Sequence, residues 1–154
     1  MGKITVPGDV IKQFTYAERK VQLKKALQSG FYFEAIFIEY AIMEDRTESI
    51  LRHAGSISLT NKQGRPLSLS QKVNKIRGCK PFEEKRIRRH LSLELLARLD
   101  EWREKRNELV HVLMKSQADY SELKPIAEAG KEIVRLLENA ARQVNKYFDS
   151  RPTE

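Results

Sequence analysis

From Ile126 onward the apolar side chains fall at Ile126, Ile133, Leu137, Ala140, Val144 and Tyr147, steps of three, four or seven that gather them on one side of a helix. Residues 32–53, YFEAIFIEYAIMEDRTESILRH, are apolar on nearly every side in their first half, the pattern of a central helix on which several others pack. Upstream, Thr15 with Glu18 three residues on has the form of a capping box and Gly30 that of a stop, which predicts a helix over 16–29. Residues 55–70 collect Gly, Ser, Thr, Asn and Pro and read as a loop, the one flexible insertion. A short helix is expected over 70–77, ending at Gly78, and another from Pro81, with Glu83 and Glu84 placed for its first turn. Ser92 can cap the next, running to about Met114, and Pro125 suits the first turn of the last. Residues 1–14 read as an irregular segment in which only KITV hints at a strand, and 150–154 as a tail. The expected fold is therefore all-α: a single domain over 1–154, a bundle of about five to six helices with an up-and-down core and a long central helix.

Composition adds constraints. A chain of 154 residues, 40% hydrophobic, can bury one core, and a formal net charge of +8 suits a protein that meets a polyanion. Cys79 is alone, so no intrachain disulfide forms, and His53, His90 and His111 are scattered without zinc-ligand spacing, so no metal and no cofactor are expected. The N-terminus has no signal-peptide pattern, and the most apolar stretch, FEAIFIEYAIMED, is interrupted by Glu39 well short of a membrane span. A cytoplasmic protein without membrane contact is expected.

The segment EKRNELVHVL, residues 104–113, contains an anomaly. At about 100° per residue, Leu99, Arg106, Leu109, Val110 and Leu113 share one side of a helix with Trp102 alongside, so a guanidinium sits in the middle of an apolar stripe. Such burial is costly unless an anion or dense hydrogen bonding compensates it. An architectural ion pair with Glu39 or Asp45 of the central helix is one solution. On the same wheel Asn107 and His111 lie about 40° apart and Arg106 about 140° from His111, so arginine and imidazole meet only through the long arginine side chain or across a second copy of the helix. Histidine is the side chain that moves protons near neutral pH, and a fixed cation stabilises a phosphorane-like transition state.

Arg106-Asn107-Glu108-Leu109-Val110-His111 resembles the R-N-x-x-x-H signature of HEPN domains, and it stands in the penultimate long helix of an all-helical chain of suitable length. The resemblance implies a HEPN-like bundle over about residues 16–148 and a metal-independent endoribonuclease: His111 as acid/base group, Arg106 as phosphate-binding cation and Asn107 as the residue that orients histidine or substrate. Cleavage through the 2′-hydroxyl would leave a 2′,3′-cyclic phosphate. It also implies RNA as substrate, a homodimer that sets two motifs around one cleft, and an antitoxin protein as a further partner. Many toxin members carry a tyrosine two positions after the histidine; here that residue is Leu113, so control by tyrosine modification is not implied. The alternatives are a catalytically silent HEPN-like module that binds RNA or protein, and an unrelated helical adaptor. Arg46 and His53 form a looser pair without the asparagine.

Charge is concentrated just before the motif. Between Gln71 and Leu91 stand Lys72, Lys75, Arg77, Lys80, Lys85, Arg86, Arg88 and Arg89 against Glu83 and Glu84 alone. Of these, Lys72, Lys75, Arg77, Lys85, Arg88 and Arg89 are the candidate RNA-binding residues, with Lys85, Arg88 and Arg89 at helical spacing for one cationic face. Few aromatic residues interleave with them, which argues against base stacking in this segment.

Overall fold

A computed structural model describes residues 8–55, 57–115 and 120–152. In chain order its helices are α1 (Gly8–Ser29), α2 (Tyr32–Ala54), α3 (Leu69–Gly78), a 3₁₀ turn at Lys80–Glu83, α4 (Lys85–His90), α5 (Leu93–Lys115), a second 3₁₀ turn at Tyr120–Glu122, and α6 (Leu123–Asp149). Among the described residues there is no strand, only an isolated bridge between Thr60 and Pro66. The KITV segment lies outside the described residues.

The four long helices alternate in direction. A tight turn reverses α1 into α2, where Gly30 takes φ of 74°. The Phe31 N–H donates to the Ala26 carbonyl at 2.8 Å and the Gly30 N–H to that of Leu27 at 3.4 Å, the paired closure that a left-handed glycine permits at a helix end. Helix α5 runs against α6, with the Trp102 indole N–H donating to the Ile126 carbonyl at 2.9 Å. Helices α2 and α6 lie parallel and form the most extensive contact among the described residues, with Asn145 donating to Ser49 at 3.1 Å and Asp149 meeting His53 at 2.6 Å. The core lies along this pair: Ile36, Ile42, Met43, Ile50 and Leu51 from α2 meet Ala127, Ile133, Leu137, Ala141 and Val144 from α6. Phe82 closes one end, its ring edge-on to Phe148 at 5.7 Å.

Several boundaries differ from the sequence expectation. Helix α1 is already formed at Gly8, so Thr15 and Glu18 lie in its interior and part of the expected irregular segment is helical. The segment from Pro81 is two pieces, because Glu84 with ψ of 132° leaves the helical region between the 3₁₀ turn and α4. Helix α3 starts at Leu69 behind Ser68, whose hydroxyl accepts from the Gln71 N–H while the Gln71 side chain accepts from the Ser68 N–H. Ser92 does hold the start of α5, accepting from the Leu95 N–H at 3.1 Å. The loop before α3 is built around Asn61, whose side-chain oxygen accepts from the Gln63 and Arg65 N–H groups.

Candidate functional site

Arg106 lies where the apolar stripe of α5 passes α2, and α2 meets it with rings. Its guanidinium carbon sits 4.2 Å from the centroid of the Tyr40 ring and 5.8 Å from that of Phe37. Phe33, Phe37 and Tyr40 follow one another at steps of four and three, so they form one side of α2. A guanidinium is planar and weakly hydrated, so an aromatic face can shelter it where an aliphatic one cannot. The Arg106 Nη1 donates to the Asn107 side-chain oxygen at 3.1 Å, while its Nε is buried without a hydrogen-bond partner. Burial raises the pKa of Tyr40, with Glu44 adding to the shift and Arg106 and Arg103 opposing it, so the ring beneath the cation is a neutral phenol.

The acids considered as partners for Arg106 are engaged elsewhere or isolated. Asp45 accepts from Arg46 at 2.6 Å. Glu39 is fully buried, both of its carboxylate oxygens lack a hydrogen-bond partner, and burial pushes its pKa up to about 9. It turns toward α6, into a space that exists because residue 130 is glycine: a Cβ there would lie 2.7 Å from the Glu39 carboxyl carbon and 2.9 Å from Trp102 Nε1. Among the described residues, Asp45 is taken by Arg46 and Glu39 is held neutral, so neither acid pairs with the Arg106 guanidinium.

Of the three motif residues, the structure joins two. Arg106 and Asn107 are hydrogen-bonded through their side chains, whereas His111 is exposed one turn further along α5 and its imidazole makes no hydrogen bond among the described residues. Helix α5 is continuous through Lys115, so the angular offset between Arg106 and His111 is retained.

The cationic segment divides into structural and exposed members. Lys72 leaves the expected face: it is buried, with Nζ donating to the Glu44 carbonyl at 3.4 Å and 4.0 Å from the Glu48 carboxylate. Its position, three after Leu69 and four before Ile76, places it on the core side of α3. Arg88 donates to the carbonyls of Ile76 and Arg77 at 3.1 and 3.0 Å, closing the C-terminal end of α3, and burial lowers its pKa. Arg77 pairs with Asp100 at 2.7 Å, and Lys75 is half-buried. Lys85, Arg86 and Arg89 are exposed and carry no ion pair among the described residues. Arg89 and His90 line a cleft with Leu95 and Leu136, beside the start of α5, so Arg89 and Arg106 are separated by about 20 Å along the α5 axis.

The residues that sequence reasoning missed are Phe33, Phe37 and Tyr40. Their signal was the aromatic spacing on α2, hidden in a stretch that is apolar on nearly every side. Among the described residues, no group of three or more His, Cys, Asp or Glu side chains is arranged to hold a metal ion, and no helix is long and apolar enough to cross a membrane. Compared with protein-family models, with curated proteins and with solved structures, the chain matches none.

Proposed function

We propose that this chain is a HEPN-like cytoplasmic RNA-binding domain that cleaves RNA without a metal, with Arg106, Asn107 and His111 as the reacting set. The observation that carries the reading is the state of Arg106: a half-buried guanidinium supported by the Tyr40 ring and the Asn107 carboxamide, with no ion pair to an acid among the described residues. A cation prepared in this way gains most from an anion delivered by a ligand, and a phosphodiester is an anion whose oxygens a guanidinium fork can meet in pairs. In the reaction the 2′-oxygen attacks the adjacent phosphorus and the bond to the 5′-oxygen breaks. One imidazole takes the 2′-proton, and an acid returns a proton to the leaving oxygen, giving a 2′,3′-cyclic phosphate and a 5′-hydroxyl. Because His111 stands about 140° from Arg106 on α5, the complete set requires two copies of the chain, the homodimer, with imidazole and guanidinium meeting across the interface.

The same offset favours a second reading, a silent module that binds RNA through Arg106 and the exposed cations of α4 and leaves His111 idle. The two separate in one experiment. Purified protein is incubated with RNA in the presence of a chelator, and cyclic-phosphate ends are followed for the wild type and for His111→Ala. Loss of at least about a hundredfold in rate with an unchanged melting temperature supports cleavage, since general acid–base groups contribute on that scale. RNA binding without cleavage, unchanged by the substitution, establishes the silent module instead.

A further inference from the structure

We infer that Phe33 and Phe37 form a stacking shelf for the nucleobases of single-stranded RNA, set beside Arg106 so that a base lies on the rings while its phosphate meets the guanidinium. The inference rests on the RNA reading above and adds to it the residues that would grip the bases.

Large aromatic side chains are usually buried, yet Phe37 is 59% exposed and Phe33 41% exposed, one helical turn apart on α2. Their ring centroids are 6.3 Å apart and their planes inclined by 41°, so the two rings do not cover each other's faces. Phe37 also stands at the edge of the Arg106 site, with the guanidinium carbon 5.8 Å from its centroid, while Tyr40 one turn on carries that guanidinium directly. The stripe runs on into Glu44, which is half-buried beside Tyr40, so the acid lies beyond the tyrosine from the two exposed rings.

The occupant has to satisfy both halves of this surface. A second copy of the chain laid over the phenylalanines would cover the rings but would supply no phosphate to the guanidinium beside them. A nucleotide in an unpaired strand supplies a flat π-face and an anion joined by one sugar, and unstacked bases are what aromatic side chains and guanidinium planes recognise in RNA. The exposed Arg89, about 20 Å away along α5, with Lys85 and Arg86 on the same short helix, would then hold the strand further on through its phosphates.

The test uses the full chain and two labelled probes, a short single-stranded RNA and the same strand with abasic residues, with binding read by fluorescence anisotropy at low salt and oligomeric state by sedimentation. Because both side chains are exposed, Phe33→Ala and Phe37→Ala should fold, which circular dichroism verifies. The expected result is that the wild type prefers the base-bearing strand, that Phe37→Ala weakens that binding by at least about fivefold and leaves the abasic strand unaffected, and that Phe37→Trp restores it. The inference is overturned if both alanine variants bind both probes as the wild type does, or if they turn a dimer into a monomer with RNA affinity per chain unchanged. Failure of the wild type to bind either probe would sink the RNA reading itself, a result distinct from the other two.

Discussion

Replacing Glu39 with glutamine should make the protein more stable at neutral pH and remove a large part of its pH dependence. Glu39 is fully buried between α2 and α6, both carboxylate oxygens lack a hydrogen-bond partner, and no charged group contributes to the shift that burial imposes on it. Its pKa rises from 4.5 to about 9, so at neutral pH the folded chain holds a proton that the unfolded chain has released. The folded state therefore binds more protons between those two values, and stability falls as pH rises through that window. Below about pH 4.5 no penalty exists, and above about pH 9 it is complete. Each pH unit within the window costs up to about 1.4 kcal/mol, so at pH 7.5 the carboxyl group costs at most about 4 kcal/mol. That is a large fraction of the stability of an ordinary domain. Glutamine keeps the shape and never ionises. Urea unfolding of wild type and Glu39→Gln across pH 4.5 to 9 isolates the effect, because every other titrating group is common to both and cancels in the difference. The difference should be small near pH 4.5 and grow to several kcal/mol by pH 8. A difference that stays flat with pH would refute the account, since it would mean that the carboxyl group ionises in the folded chain as readily as in the unfolded one.

Two further outcomes follow from the same geometry. Gly130→Ala should destabilise the bundle by about 1–3 kcal/mol, because its Cβ would stand 2.7 Å from the Glu39 carboxyl carbon and 2.9 Å from Trp102 Nε1; in a Glu39→Ala background the cost should shrink, a coupling that a double-mutant cycle in urea measures. Arg89→Ala should weaken RNA binding and lower the slope of log affinity against log salt by about one, whereas Lys72→Ala should lower the unfolding midpoint and leave that slope unchanged, as titrations at several salt concentrations would show.

Where the sequence was informative, the signal was local. The apolar run over 32–53 became Tyr32–Ala54 because a helix that packs on several sides needs apolar groups on several sides. Gly30 ended α1 because its left-handed backbone completes the closing hydrogen bonds within five residues. Thr15 and Glu18 misled for the converse reason: a capping pattern describes what a helix start requires, and the same residue types are tolerated in the interior of α1 when the helix begins earlier, at Gly8. Lys72 was legible in principle, since its spacing from Leu69 and Ile76 puts it on the buried side of α3, but linear charge density hid that. The surroundings of Arg106 were not legible. They depend on a ring from α2, far away in sequence, and a one-dimensional pattern that shows an arginine in an apolar stripe cannot distinguish an acid from a tyrosine as its neighbour.

The two anomalies of this core, an unneutralised arginine and an unpartnered acid, are connected by the geometry of α2. Glu39 and Tyr40 are successive residues and therefore point about 100° apart, the carboxyl group toward α6 and the ring toward Arg106 of α5. Were the acid to face α5, it would ionise against the guanidinium, and the pair would be satisfied within one chain, leaving little for the phosphate of the proposed RNA ligand to gain. With the acid held neutral in the space that Gly130 leaves open, the charge of Arg106 rests on an aromatic face that shelters it without cancelling it. The stability forgone at Glu39 and the electrostatic readiness at Arg106 then arise from the same choice of residues. On this argument a variant that relieves the first without turning an acid toward α5, such as Glu39→Gln, leaves the second intact, because the core cost and the site charge occupy different sides of one helix.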